Sequence, residues 1–328
     1  YLYHLIKRAA RVFGVYKDSR GQKWIAAVTA AVVVLPAANI WGLWAVVVWH
    51  FTAVSLIVEL VRFIFLKRLK KESRIWNAIY GASIIPAAVT LAILGYGYLN
   101  MRYVIQTDYT VETDKEIREE GYQIAFLSDL HYGTTMNRKQ LEKYCAKIEE
   151  NEPDALILGG DIVDERTTLD QVREAFSVLG QTKTSFGVYY VCGNHDKGRY
   201  FANCDFTPEE LFDAAGEGGV VVLEDETYLL GDELTLTGRR DRSDAAMSKA
   251  ARRPSSALLE NTDRDGFHIL ADHQPREFEE NEKAGYDLML SGHTHAGQIW
   301  PVGLITSLFD KGTINYGQRQ VGNLDVIV

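Results

Sequence analysis

Cysteine is almost missing from this 328-residue chain. Cys145, Cys192 and Cys204 are odd in number and show no framework spacing, so the sequence encodes no disulfide scaffold. Neither they nor any serine stands in a nucleophile pattern, which argues against a covalent mechanism. Basic charge is scarce from residue 101 onward, where 23 Lys+Arg face 41 Asp+Glu. That deficit argues against a nucleic-acid substrate, because binding DNA or RNA relies on cationic patches that neutralise phosphates. Charge of either sign is missing from Trp76 to Tyr98, a run of 23 residues. At about 1.5 Å per helical residue such a run is long enough to cross a bilayer core.

Residues 1–100 have the opposite balance, 12 Lys+Arg against 3 Asp+Glu, so the overall charge of −9 averages two unlike parts. Trp24 to Ile40, containing Pro36, and Trp41 to Val58, interrupted only by His50, are further apolar runs. Three in succession, with Trp or Tyr near several ends, predict an α-helical transmembrane region with spans over about 24–40, 41–66 and 76–98. Glu59 and Arg62 are the one charged pair near a span end, which suggests anchoring rather than transport. The positive charge is concentrated in Lys7, Arg8, Arg11, Lys17, Arg20 and Lys23, before the first span, and in Lys67, Arg68, Lys70, Lys71 and Arg74, between the last two. With three spans these clusters share one side, which the positive-inside rule makes cytoplasmic. Met101 onward is then expected on the extracytoplasmic face of an integral membrane protein. Tyr1 to Ile6 is read as the tail of an earlier span.

The second part carries five short polar motifs: S-D-L-H (Ser128 to His131), G-G-D (Gly159 to Asp161), G-N-H-D (Gly193 to Asp196), D-H-Q (Asp272 to Gln274) and G-H-T-H (Gly292 to His295). Most follow a short apolar run of the kind that forms a buried strand, such as Ala155 to Leu158 or Asp287 to Leu290. Strand ends are where loops from distant sequence converge in layered α/β folds, so one site is expected rather than five. Asp and His suit Zn, Fe and Mn alike. Asp161 has two carboxylate oxygens and can bridge two ions, with Gly160 allowing a tight turn beneath them. Asp129 and His131 are expected to alternate on an extended segment and point the same way, as are His293 and His295. Asn194 offers a neutral oxygen, leaving His195 free to act on substrate. Five of the eight histidines fall in these motifs; His4, His50 and His268 are read as packing residues.

In order and spacing these residues resemble the calcineurin-like metallophosphoesterase superfamily, specifically its bacterial membrane-anchored branch, over roughly residues 120–328. The resemblance implies a four-layer α/β/β/α sandwich and two divalent metal ions, Mn, Fe or Zn. It implies that Asp129, His131, Asp161 and His295 hold one ion and that Asp161, Asn194, His273 and His293 hold the other. It gives His195 the role of protonating the leaving group or stabilising charge in the transition state. The implied organisation is a transmembrane region over 1–100, a linker over 101–120 and a catalytic domain over 121–328. Relatives usually continue past a strand like Leu324 to Val328, so further chain is expected there.

Charge supplies the remaining expectations. A phosphate ester repels nucleophiles, so its hydrolysis depends on neutralising its oxygens and placing an attacker in line. Coordination lowers the pKa of water from about 15.7 toward about 7, which makes a metal-bridging hydroxide the expected nucleophile. Asp196 is expected to orient His195 and keep it protonated. Arg239 and Arg240, at a strand end within the basic stretch Gly238 to Arg253, are the candidate substrate-binding residues, since arginine forks grip phosphate bidentately. Aromatics within Phe201 to Phe212 are read as core packing in preference to an acyl-chain site. Asn137 is a plausible cap for a helix over 137–151, and a second helix is expected over about 169–179. Val220 to Leu223, Tyr228 to Leu230 and Leu234 to Thr237 look like a meander. The bilayer is the expected partner, and the expected substrate is a phosphate ester or pyrophosphate of a lipid or envelope component. The competing readings are a non-catalytic scaffold on the same fold and a cytoplasm-facing pyrophosphatase acting on a lipid-linked sugar nucleotide.

Overall fold

Apolar helices and alternating strands divide the chain into two compact units, Tyr1–Ile105 and Gln106–Val328, in a computed structural model. It describes residues 1–39, 42–66, 74–248, 252–263, 265–297, 302–309 and 314–328. Ile40 and Trp41, at the junction of two expected spans, lie outside the described residues, as do Lys67, Arg68, Lys70 and Lys71 of the second basic cluster and Lys249 of the basic stretch.

The first unit is helical: α1 (Leu2–Val12), α2 (Arg20–Val34), α3 (Leu43–Leu66), α4 (Arg74–Gly81) and α5 (Ile84–Met101). Ser19 caps α2 by accepting a hydrogen bond from the Gln22 amide. Among the described residues, three segments are long and apolar enough to cross a membrane, Arg20–Ala38, Leu43–Ile64 and Ile84–Met101. The uncharged run from Trp76 to Tyr98 is therefore not one helix. It breaks where Ser83 adopts a left-handed φ of 58°, and α5 restarts with Pro86 in its first turn, where the missing N–H costs no helical bond. Glu59 is held by Arg8 at 2.5 Å and by the Tyr80 hydroxyl at 2.6 Å, tying α1, α3 and α4 together.

Among the described residues the second unit has two sheets. β1 (Ile124–Leu127), β2 (Ala155–Leu158), β3 (Val188–Tyr190) and β4 (Val220–Val222) form a parallel sheet in that order. The helices between them are α6 (Arg138–Glu149), α7 (Leu169–Leu179) and α8 (Pro208–Glu217). Each opens with a capping box, Asn137 with Gln140, Thr168 with Gln171 and Thr207 with Glu210, so its sequence satisfies the orphan amides at its start. The second sheet runs β5 (Glu226–Leu230), β6 (Leu234–Gly238), β7 (Phe267–Ala271), β8 (Leu288–Leu290), β10 (Leu324–Ile327) and β9 (Gln318–Val321), antiparallel at its two edges and parallel between. Shorter helices accompany it: α9 (Arg242–Ser248), α10 (Ser255–Leu258), α11 (Phe278–Ala284) and α12 (Val302–Phe309).

The expected meander is not formed. Val220 to Val222 pairs with β3 in the first sheet, and the chain then crosses to the second sheet, where β5 and β6 make a hairpin. Leu223 makes that crossing because its side chain is buried in the core between the sheets. That core contains Ile157, Tyr189, Leu236 and Ile269, among others. A second apolar cluster packs α6, α7 and α8 on the outer face of the first sheet, with Leu141, Phe176 and Leu211 buried. A third packs Tyr286, Leu259 and Met289 outside the second. Burial of each large side chain is worth about 1.5–3 kcal/mol. The result is the expected α/β/β/α stack.

Candidate metal centre

Because the strands next to the motifs are parallel, their carboxyl ends face one side. β1 delivers Asp129 and His131, β2 delivers Asp161, β3 delivers Asn194 and His195, β7 delivers His273, and β8 delivers His293 and His295. The segments that carry the candidate ligands are not extended as expected. Asp129, His131, Asp161, His293 and His295 all have left-handed backbones, with φ of 57°, 41°, 52°, 71° and 47°. Such conformations strain residues with a Cβ and persist only where the surroundings hold them. Here the Asp129 amide donates to the Gly160 carbonyl and the His131 amide to the Asp161 carbonyl, both at 2.9 Å. The His293 amide donates to Asp129 Oδ2 at 2.9 Å. Gly160, at φ +94°, leaves no space for a Cβ between the Gly193 backbone and the His273 ring. A side chain there would separate the loops that have to meet.

Among the described residues two donor groups result, Asp129, His131, Asp161 and His295 in one and Asp161, His273 and His293 in the other, each with its candidate ligand atoms within 4.8 Å of one another. His295 Nε2 lies 3.2 Å from Asp129 Oδ1, and His273 Nε2 lies 3.2 Å from Asp161 Oδ2. Asn194 Oδ1 joins the second group, 2.7 Å from His293 Nδ1 and 3.1 Å from His273 Nε2. A first-row ion bound at about 2.0–2.2 Å from each donor fits such spacings. The outer nitrogens are also positioned: His273 Nδ1 is 2.8 Å from the Gly159 carbonyl, and His131 Nδ1 is 3.4 Å from Asp164 Oδ2. These contacts present the Nε2 atoms to the centre.

The electrostatics favour a cation there. Burial works to lower His131 and His273, yet hydrogen bonding to Asp164 raises His131 and the Asp161 carboxylate pushes His273 up to about 10. Burial works to raise Asp129 and Asp161, and the surrounding imidazoles pull both down. Imidazoles that hold protons against burial mark a site whose carboxylates demand positive charge.

His195 stands beside both groups. Its amide donates to Asp161 Oδ1 at 2.8 Å, and its ring lies between those of His131, 5.4 Å away, and Tyr200, 4.9 Å away. The side chain that meets its Nδ1 is Glu165, at 3.0 Å. Burial works to lower the His195 pKa, and the Glu165 carboxylate overcomes it. Asp196 does not orient the imidazole. It is fully buried and accepts from the amides of Asp161 at 2.6 Å, Gly193 at 2.6 Å and Val163 at 3.0 Å. Its carboxylate turns inward to three backbone donors of the crossing loops.

The two arginines are otherwise engaged. Arg239 is buried, with Glu277 at 2.8 Å, Asp272 at 3.5 Å and the Arg253 carbonyl at 2.9 Å. Arg240 is partly exposed and reaches Glu224 at 4.0 Å. Neither meets the ligand groups, because the acidic residues on the neighbouring elements claim their guanidinium groups. Phe206 is core, as expected, while Phe201 is exposed. The residues missed from sequence are Asp164 and Glu165. The signal for both was their place directly after the Asp161 motif, in D-I-V-D-E.

The profile of the calcineurin-like phosphoesterase family matches residues 122–297, more than half of the chain. The chain is 26% identical over 288 residues to a transmembrane protein with metallophosphoesterase domain from Danio rerio, covering 79% of this chain and 63% of that one. It is 29% identical over 226 residues to an uncharacterized metallophosphoesterase of Helicobacter pylori, covering 66% and 57%. A counterpart in Aquifex aeolicus is 28% identical over 216 residues, covering 66% and 78%. The chain thus spans somewhat under two thirds of the length of the first two relatives. On the strength of this match, the chain belongs to the calcineurin-like phosphoesterase family.

Proposed function

We propose that the protein is a membrane-anchored phosphoesterase dependent on two divalent ions, Mn, Fe or Zn, that hydrolyses a phosphate ester or pyrophosphate of a lipid or envelope component. The observation that carries this reading is Asp161, shared by two donor groups while its Oδ1 accepts the amide of His195. Asp129, His131, Asp161 and His295 would hold one ion, and Asp161, Asn194, His273 and His293 the other. A bound pair of ions supplies charge neutralisation for the phosphoryl oxygens and an activated water as attacker.

The chain's own residues do the rest. His195 carries the proton that the departing oxygen needs, and donates it from Nε2 while Nδ1–H stays on Glu165. Left-handed ligand residues and crossing glycines fix the loops, so little reorganisation accompanies the reaction. The apolar helices support a substrate that resides in or near a bilayer. The basic cluster before the first span supports an extracytoplasmic catalytic domain.

Purified full-length protein, chelated and then given Mn²⁺, is expected to hydrolyse at least one class in a panel of phosphomonoesters, phosphodiesters and lipid pyrophosphates, and Asp161→Asn to abolish that turnover. Turnover that survives chelation, or an active Asp161→Asn variant, would sink the proposal. A topology reporter fused after Asn100 is expected to read extracytoplasmic; a cytoplasmic signal would instead support the sugar-nucleotide pyrophosphatase.

A further inference from the structure

Helix α12 follows the last ligand motif directly and exposes apolar residues. Phe309 is 86% exposed, Leu308 65% and Leu304 55%. Leu304 and Leu308 are four residues apart and so share one face of the helix, with Phe309 beside it. An exposed apolar helix face of this kind marks an interaction surface.

The helix is fastened to the metal centre. Gly303 packs against the backbone of Ala296 and Gly297, the residues after His295, so closely that a Cβ would collide with the Ala296 carbonyl. The Asn315 side-chain amide donates to the Gly303 carbonyl at 3.1 Å, and the Asn315 carbonyl accepts from the Thr294 hydroxyl at 2.6 Å. Thr294 stands between the ligand residues His293 and His295. A position taken by α12 is therefore transmitted to the loop that carries two of the ligands.

The occupant of this surface is indicated by where the chain comes from. Tyr316, next to Asn315, is 64% exposed, and its hydroxyl lies 3.0 Å from the Thr107 hydroxyl. The last candidate span ends at Met101, and the residues up to Thr107 bridge at most about 20 Å at the reach of an extended chain. The bilayer that would hold the span is thus within a short tether of the Asn315–Tyr316 corner that carries α12. Interfacial helices of this kind sink an apolar face about 5–10 Å into the headgroup and acyl boundary.

We infer that the Leu308–Phe309 face of α12 docks on the lipid bilayer that contains the chain's own spans, and so holds the metal centre at the membrane surface. This rests on reading the apolar helices as spans, and is independent of the hydrolytic chemistry.

The test uses the full chain in lipid nanodiscs, with Cys204→Ser removing the one cysteine that is not fully buried. An environment-sensitive fluorophore is attached at Phe309→Cys, at Leu91→Cys in α5 and at Lys143→Cys on the exposed face of α6, and nitroxide-bearing phospholipids are added as quenchers. The expected result is blue-shifted emission at position 309, with quenching close to that at 91 and none at 143. Quenching at 91 without quenching at 309 would overturn the docking. Blue-shifted emission at 309 that lipid nitroxides do not quench would also overturn it, by showing that protein covers the face. A label at 91 that lipid does not quench would overturn the span reading and the inference with it.

Discussion

Glu165 and His195, thirty positions apart, meet through a carboxylate oxygen 3.0 Å from the imidazole Nδ1. The contact fixes which ring nitrogen faces the ligand groups and favours the charged imidazole, so Glu165 is a positioning residue for the proposed proton donor. Glu165→Gln keeps the shape and removes the charge. It is expected to lower kcat about 10–100-fold. The sign of the pH effect follows from the same contact. Glu165 raises the His195 pKa against burial, so the variant loses its proton at lower pH, and the alkaline limb of kcat/KM moves down relative to wild type. Bound ions act on both proteins alike and cancel from that difference. A fall in kcat with an unmoved alkaline limb would assign Glu165 to folding alone.

A bound ion and protons would compete for the same atoms. Neighbouring carboxylates raise the pKa of His131 and His273 against burial, so an ion that takes their Nε2 atoms displaces protons from these imidazoles. Mn²⁺ affinity is therefore expected to rise with pH up to about 10, where His273 loses its proton, with protons released on loading. Calorimetry in two buffers of different ionisation enthalpy measures the release. Chelation is expected to lower Tm, since an ion that binds only the folded state stabilises it by about 2.7 kcal/mol at a hundredfold excess over Kd. Binding without proton release would mean that these histidines are not ligands.

Asp196 is a test of adjacency as a guide to contact. Its carboxylate accepts three amide hydrogen bonds from the loops after β2 and β3, and none runs to His195. Asp196→Asn places an amide NH₂ among amide donors in a fully buried position, at a cost of about 3 kcal/mol or more. A drop of several degrees in the domain's Tm is expected, together with an unmoved pH profile for whatever folded protein remains. A normal Tm with an altered profile would restore the catalytic reading.

The motif residues were legible because Asp, Asn and His after apolar runs have few other uses, and parallel strands make their convergence unavoidable. Capping residues such as Asn137 marked helix starts for the same local reason. The handedness of Asp129 or His293 was not legible: both are L-residues whose extended and left-handed forms differ only in what the surrounding loops enforce. The break at Ser83 lies in a run that reads as unbroken by hydropathy, because a backbone turn changes no side-chain polarity. Glu165 takes the place at His195 that was expected of Asp196 for a related reason. Sequence neighbours diverge where a backbone turns inward, and the residue that completes a site then comes from the next loop.

Arg239 shows the same divergence in a charged residue. A strand-end arginine suggests phosphate binding, yet its guanidinium is buried with Glu277 at 2.8 Å and Asp272 at 3.5 Å, and Arg252 also reaches Asp272. Removing one partner from such a group leaves uncompensated charge in the interior, which costs about 3–5 kcal/mol. Arg239→Ala is therefore expected to lose stability on that scale, read as a lowered urea midpoint, while KM for any hydrolysed ester stays within about twofold, because no binding contact has gone. Arg240→Ala, which removes only a 4.0 Å contact to Glu224 from a partly exposed side chain, is expected to change the midpoint little. A tenfold rise in KM for Arg239→Ala at unchanged stability would show that the guanidinium leaves its carboxylates when substrate arrives, and the assignment to phosphate would then stand.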